Sequence, residues 1–372
     1  MKILCGVATA AVSSLTKKTS VFFRPASRCI RTARVIWNGF PHETQPGQVT
    51  RATRWASSTA AVKPLQLSTD RSIPVIGIGT YIPDKGEEDV IKAVKAAVRC
   101  GYRHIDCAAI YRNERAVGHA LKELIVEGII QREDIFVVSK LWNTCHQPDL
   151  VKPSLIKTLE DLGLKYLDLY LMHWPMGYKE GCDLLPKDAS GKVIFSDVDY
   201  LETWKAMEDC VDLGLVKDIG CSNFNSEQLQ RLLDEARIKP AVNQFEVNCY
   251  MNNRKLIEFC QANNIVVTAF GPLGTPSKEG SLPLLKEAAI TQLAAKYKKT
   301  PAQIALRFLV QQDISIVPKS VTPARIEENF KIFDFRLTPE EMAQLINLNK
   351  NFRNYGEEIA VDHKYYPFKA EF

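Results

Sequence analysis

From residue 63 onward, short and almost continuously apolar runs alternate with stretches whose apolar positions recur at helical spacing. Residues 78–81 predict a first strand. Residues 87–99 predict a helix with acids in its first turn and Val90, Ile91, Val94 and Val98 on one face. The same reading places strands at 103–106, 135–139, 167–172, 216–220, 241–245, 265–270 and 314–317. Helices are expected near 114–127, 152–162, 200–213, 226–236, 252–263, 283–298, 301–312 and 323–331. Ahead of them, 65–68 and 73–76 flank the polar turn Thr69-Asp70-Arg71 as a hairpin. Strands without polar alternation are covered on both faces, which means a parallel sheet under helices. Eight such units predict an α/β chain, a (β/α)8 TIM barrel with an N-terminal β-hairpin cap. The rival, an open doubly wound sheet, wants G-x-G-x-x-G after its first strand. Gly77-Ile78-Gly79-Thr80-Tyr81-Ile82 lacks the third glycine, and no helix starts there.

Charge separates the first 62 residues from the rest. They carry nine Lys or Arg against the single acid Glu43, so they hold +8 of a total of +5 and leave −3 for residues 63–372. The basic excess is therefore not a nucleic-acid patch on a folded surface. Arg24, Arg28, Arg31 and Arg34 recur between Phe22-Phe23 and Val35, as in a mitochondrial targeting segment expected to be disordered. A secretory signal built on Lys2 and the apolar run 3–12, or an uncleaved extension on a cytoplasmic protein, are the alternatives. No apolar run reaches the ~20 residues of a membrane span. The ten cysteines form no C-x-x-C pair and no zinc-type Cys/His cluster, so buried thiols in a reducing compartment are expected and no metal.

In a barrel, every strand's C-terminal end opens on one rim. The strand at 103–106 ends on Asp106, with Tyr111 five residues later. The strand at 135–139 runs into Lys140, and that at 167–172 into His173. Alone, each has an ordinary structural explanation, an ion pair or a core histidine. Together they are apparatus for carbonyl reduction. A lysine ammonium lowers the pKa of a neighbouring phenol, an aspartate holds the lysine, and the phenol donates a proton to a developing alkoxide. The histidine orients the carbonyl by a hydrogen bond. Late in the chain, Lys319, Ser320, Thr322 and Arg325 offer two cations and two hydroxyls after the eighth strand, which suits a phosphomonoester such as the 2′-phosphate of NADPH. A plain helix start at Thr322-Pro323 is the bland alternative. Gly220-Cys221-Ser222-Asn223-Phe224 and Val242-Asn243-Gln244 put small amides and hydroxyls on the rim, and Phe270 offers a ring to a nicotinamide. A Tyr-x-x-x-Lys match at Tyr81 and Lys85 lies after the first strand with no dinucleotide fingerprint before it, and is set aside as chance.

The segments GYRHIDCA, VSKLW, LMHWP, GCSNF, VNQ and VPKSVTP, with the tail from Asp362 to Phe368, resemble the aldo-keto reductase superfamily, near aldose and aldehyde reductases, from about residue 65 to 372. The resemblance implies a monomeric NADPH-dependent reductase that takes aldehydes and some ketones, with Asp106, Tyr111, Lys140 and His173 as its tetrad. It implies that Ser222, Asn223 and Gln244 hold the carboxamide, that Phe270 stacks on the nicotinamide, and that Lys319, Ser320 and Arg325 take the 2′-phosphate. Glu328 and Asn329 would contact adenine, with Gly79, Thr80, Leu273, Val321 and Thr322 completing the cofactor site. Tyr81, Trp142, Trp174 and Tyr178 would wall the substrate pocket. The chain departs from the family at Phe270 (usually tyrosine), Gly271 (usually serine), Tyr81 (often tryptophan) and Asn248-Cys249 (often His-Pro). Its loop at 274–281 looks short for a cofactor clamp. These departures predict looser cofactor binding. A cofactor-binding barrel with a structural or regulatory role is the alternative to an enzyme.

Overall fold

The strand–helix rhythm closes on itself in the computed structural model, which describes residues 63–372 apart from 84, 182, 276–282 and 371–372. The leader reading and most of the loop at 274–281 lie outside the described residues. Strands β1 (Leu65–Gln66) and β2 (Ser72–Ile73) form the antiparallel hairpin. The main sheet contains β3 (Ile78–Gly79), β4 (His104–Asp106), β5 (Phe136–Leu141), β6 (Leu167–Met172), β7 (Val216–Ser222), β8 (Val242–Glu246), β9 (Val266–Phe270) and β10 (Ser315–Ile316), all parallel and in sequence order. Its two edges meet. Gly77 N donates to Ile316 O at 2.8 Å, Ile316 N to Val75 O at 2.9 Å and Gly79 N to Pro318 O at 3.1 Å. At this seam a Cβ on Gly79 would lie 2.8 Å from Val317 O, so only glycine permits the approach. The eight strands thus form the predicted barrel.

The period-2 alternation of each strand decides what faces the barrel interior. On β5 the inward residues are Phe136, Val138 and Lys140; on β6 and just past it they are Leu169, Leu171 and His173. Phe136, Val138, Leu169 and Leu171 join Ala241, Val242 and the hairpin residues Leu67 and Ile73 in one inner cluster. The hairpin therefore plugs the N-terminal end, as its apolar pattern predicts. The opposite faces, including Val137, Leu141, Tyr170 and Met172, pack outward into the larger core under the helices. On β5 and β6 the inward column is thus apolar at the bottom and turns polar only at its last residue, whereas β8 already turns polar at Gln244.

Element boundaries follow the apolar pattern closely, with β6 at the residues expected. Two differences have local causes. The stretch 283–298 divides into a short 3-10 turn (Leu284–Lys286) and a helix (Ala288–Tyr297), because Glu287 between them is extended. A helix not anticipated from the sequence spans Pro339–Ile346. Thr338 accepts from Glu341 N, while the Glu341 carboxylate accepts from Thr338 N. Among the described residues, no helix is long and apolar enough to cross a membrane.

Candidate active site

Asp106 and Lys140 end neighbouring strands and are almost fully buried, the lysine at 1% exposure. Lys140 Nζ donates to Asp106 Oδ2 at 2.7 Å and to the Cys107 carbonyl at 2.8 Å. The second carboxylate oxygen accepts from Gln244 Nε2 at 2.8 Å, across the barrel. A buried ion pair is tolerable when its remaining donors and acceptors are satisfied, and this one is largely saturated. Gln244 therefore serves the aspartate here, a role the sequence reading did not assign to it.

Tyr111 closes a single 3-10 turn (Ala109–Tyr111), after which Arg112 adopts a left-handed conformation. Asn113 Nδ2 donates to Thr80 O at 2.8 Å and Thr80 Oγ1 to Asp106 O at 2.8 Å, so this loop is tied to the adjacent strand end. The turn carries the phenol back over the lysine, with Lys140 Nζ 5.2 Å from the ring centroid. The ring lies 5.1 Å from that of Tyr81 and 6.1 Å from that of His173. The four residues expected at the rim therefore stand together. The electrostatic expectation needs correcting. Burial holds the Tyr111 phenol well above its ordinary pKa, and the Asp106 carboxylate pushes the same way. The lysine's hydrogen bonds go to Asp106 and Cys107, and among the described residues none joins it to the phenol oxygen. Tyr111 is accordingly a protonated acid at rest.

His173 is held well below the usual imidazole pKa, first by burial and then by the Lys140 charge. It is therefore neutral at physiological pH. Among the described residues its Nδ1 is buried without a partner, which leaves Nε2 as the atom for a substrate. The Trp142 ring meets the imidazole edge-on at 5.3 Å. Tyr178 meets Trp142 at 6.0 Å, and Trp174 packs on Phe368 at 5.9 Å. Tyr81 is 47% exposed at the outer edge.

The residues expected to hold a cofactor occupy the other half of the rim. Ser222 Oγ donates to Gln244 O at 2.8 Å, and Asn223 Nδ2 donates to His173 O at 3.0 Å. Among the described residues Asn223 Oδ1 is left buried without a partner, an acceptor suited to a carboxamide N–H. Phe270 meets Tyr355 edge-on at 5.5 Å. Gly271, the departure next to it, has φ +57°, and a Cβ there would lie 3.4 Å from the Tyr355 ring. Glycine stands there because the backbone is left-handed and the tyrosine is close. Beyond the seam, Lys319 and Arg325 are exposed and form no ion pair among the described residues, whereas Ser320 is buried. Ser320 Oγ accepts from Thr322 N at 3.1 Å. Thr322 occupies the N-cap position of the helix Pro323–Phe330, so the helix start expected there is present, although the Thr322 side chain makes no cap bond. Asn329 is buried, and Glu328 accepts from Thr300 Oγ1 at 2.8 Å. Leu273 and Val321 are half-buried.

Three residues of this rim escaped the sequence reading. Glu246 is fully buried at the end of β8 and accepts from Asn354 N at 2.9 Å, Asn354 Nδ2 at 2.7 Å and Tyr355 N at 3.1 Å. It staples the C-terminal segment to the barrel mouth. Strand parity carries the signal, since Glu246 follows Gln244 by two residues on the inward face. Tyr355 and Glu357, on the stapled segment, have no such periodic signal.

Comparison with known proteins agrees with this geometry. The Aldo/keto reductase family model matches residues 75–350. Aldo-keto reductase family 1 member A1 of Bos taurus is 49% identical over 309 residues, covering 82% of this chain and 94% of its own. Prostaglandin F synthase 1 of Bos taurus is 42% identical, over 83% of this chain and 98% of its own. The aldose reductase of Schistosoma japonicum superposes with a TM-score of 0.80 at 46% identity, covering 83% of this chain and all of that one. The chain belongs to the aldo/keto reductase family of NADP-dependent oxidoreductases.

Proposed function

We propose that this protein reduces aldehydes, and some ketones, to alcohols with NADPH as the reductant, acting as a monomer. The observation that carries the reading is the edge-on meeting of a protonated Tyr111 and a neutral His173, ring centroids 6.1 Å apart, beside the largely saturated Asp106–Lys140 pair. Bound NADPH supplies the hydride. The chain's own residues do the rest. His173 donates a hydrogen bond to the carbonyl oxygen and sets its direction. Tyr111 releases its proton to that oxygen as negative charge develops. A phenol with raised pKa still gives up its proton to an alkoxide, which is a much stronger base, and the Lys140 ammonium stabilises the phenolate left behind. Asp106 keeps the ammonium in place and limits the cost of its burial.

Ser222, Asn223 and Gln244 are assigned to the carboxamide and Phe270 to the nicotinamide face. Lys319, Ser320 and Arg325 are assigned to the 2′-phosphate, where two uncommitted cations favour NADPH over NADH. Asn329 and Glu328 border the adenine. The deciding experiment follows loss of reduced nicotinamide with the purified full chain over aldehydes, sugars, quinones and ketosteroids. Turnover with aldehydes supports the reading, and silence across the panel, with NADPH bound, refutes it. We further propose that residues 1–62 target the chain to mitochondria. A mature N-terminus near Met1, found by sequencing the protein from cells, would remove that reading.

A further inference from the structure

One carboxylate near the mouth is held against several costs at once. Glu357 is half-buried, and burial, with neighbouring Glu358, holds its carboxyl above the usual range. Its backbone is left-handed, at φ +49° and ψ 49°, a conformation that non-glycine residues avoid. Tyr178 Oη donates to Glu357 Oε1 at 2.8 Å, and among the described residues no lysine or arginine forms an ion pair with it. Arg353, on the same segment, is stacked over the Phe368 ring at 3.6 Å. A carboxylate has room for about four hydrogen bonds, so most of the acceptor capacity of Glu357 is unused.

This acid is also well placed. Tyr178 leans on Trp142, and Trp142 leans on His173, so two aromatic side chains link Glu357 to the catalytic imidazole. The segment that leads into it is fixed at three successive residues. Tyr366 Oη donates to Gly356 O at 2.7 Å, and Glu246 grips Asn354 and Tyr355. Strain and uncompensated charge retained beside a reaction centre are a sign of function rather than stability.

We propose that Glu357, buttressed by Tyr178, sets the specificity of the carbonyl pocket. It selects substrates that carry a cationic nitrogen at the end of the molecule away from the carbonyl and disfavours those that carry a carboxylate there. The inference rests on the reductase reading above. An incoming cation would meet a partly desolvated anion with free lone pairs, where attraction is least screened. An incoming carboxylate would meet two adjacent acids, Glu357 and Glu358.

The test uses the full chain with NADPH and three para-substituted benzaldehydes: methyl, trimethylammoniomethyl and carboxylate. The kcat/KM of each charged aldehyde is divided by that of the neutral one. The cationic value should exceed the anionic by about tenfold or more, the range of one charge-assisted contact. Raised ionic strength should narrow the gap. Glu357→Gln keeps the size and still accepts from Tyr178, and should bring the ratio close to one, mainly through KM. Wild-type protein that reduces the neutral aldehyde but treats the charged pair alike overturns the selection and leaves the reductase intact. A ratio unchanged in Glu357→Gln also overturns it. Protein that binds NADPH and reduces none of the three overturns both readings. Because the wild-type ratio decides by itself, a poorly folding variant does not shelter the proposal.

Discussion

At the scale of single residues, the site works by keeping protons where they are until a substrate demands one. Burial leaves Tyr111 protonated and His173 neutral, while the ionised pair beneath them is locked. Tyr111→Phe is expected to lower kcat by about a hundredfold or more, because it deletes the acid. The same variant should keep the Kd for NADPH, read by quenching of tryptophan fluorescence, within about twofold, since the interaction is made in the transition state. Near-normal turnover would end the assignment of Tyr111 as proton donor. Asp106, Lys140 and His173 were legible because each lies at or next to the end of a largely apolar strand, and Tyr111 because it follows one such end by five residues. The protonation state was not. The sequence shows that lysine and tyrosine meet, but the sign of the phenol's shift depends on how much water reaches the ring, and that is decided by Tyr81, His173 and Tyr355 from elsewhere in the chain.

At the scale of elements, the two halves of the rim are built differently. The catalytic half comes from strand ends, so continuous apolar runs announce it. The cofactor half depends on loops and on a stapled tail. Lys319→Ala or Arg325→Ala should weaken NADPH by about tenfold or more and NADH far less, each phosphate contact contributing ~1.5–3 kcal/mol. Equal losses for the two cofactors, measured by fluorescence titration, would remove the 2′-phosphate site. For the tail, Glu246→Ala leaves the amides of Asn354 and Tyr355 without their buried acceptor. Stability should drop by about 3 kcal/mol in urea unfolding, and limited proteolysis should cut first between 349 and 360. Unaltered protease resistance would show that the tail is held by its aromatic packing instead. The helix Pro339–Ile346 was readable in principle from Thr338-Pro339-Glu340-Glu341, a proline after a capping residue with an acid at the third position. The Tyr178–Glu357 contact was not readable, because it spans 179 residues and has no periodicity to reveal it.

For the molecule as a whole, pH acts through groups outside the catalytic four. Glu114 accepts from Ser139 Oγ at 2.6 Å and Thr158 Oγ1 at 3.2 Å, and burial pushes its carboxyl up to about 7. For an acid whose folded pKa is raised, the stabilisation is full below the unfolded value near 4.5 and is lost as pH rises through about 7. His104 and His146 run the other way. Burial lowers them to about 4 and about 3, so their contribution is full above 6.5 and fades as pH falls. The difference between wild type and Glu114→Gln isolates the acid. The variant should gain on the wild type from pH 5 to pH 8, by on the order of 3 kcal/mol. Parallel pH–stability curves by thermal unfolding would show that Glu114 carries no such shift.

The seam between residues 75–79 and 316–318 has a consequence for how the chain is made. Ser315 Oγ reaches the Pro74 carbonyl across 241 positions of sequence. The first barrel strand to leave the ribosome is thus also the one that waits longest for its second neighbour. Until the last strand emerges, the growing sheet has a raw edge of unpaired amides facing solvent, open to any extended segment that comes near. A stalled or truncated chain keeps that edge for good. The vulnerable moment in this protein's life falls before it is finished, and chaperone demand should track the length of that wait rather than the stability of the completed barrel.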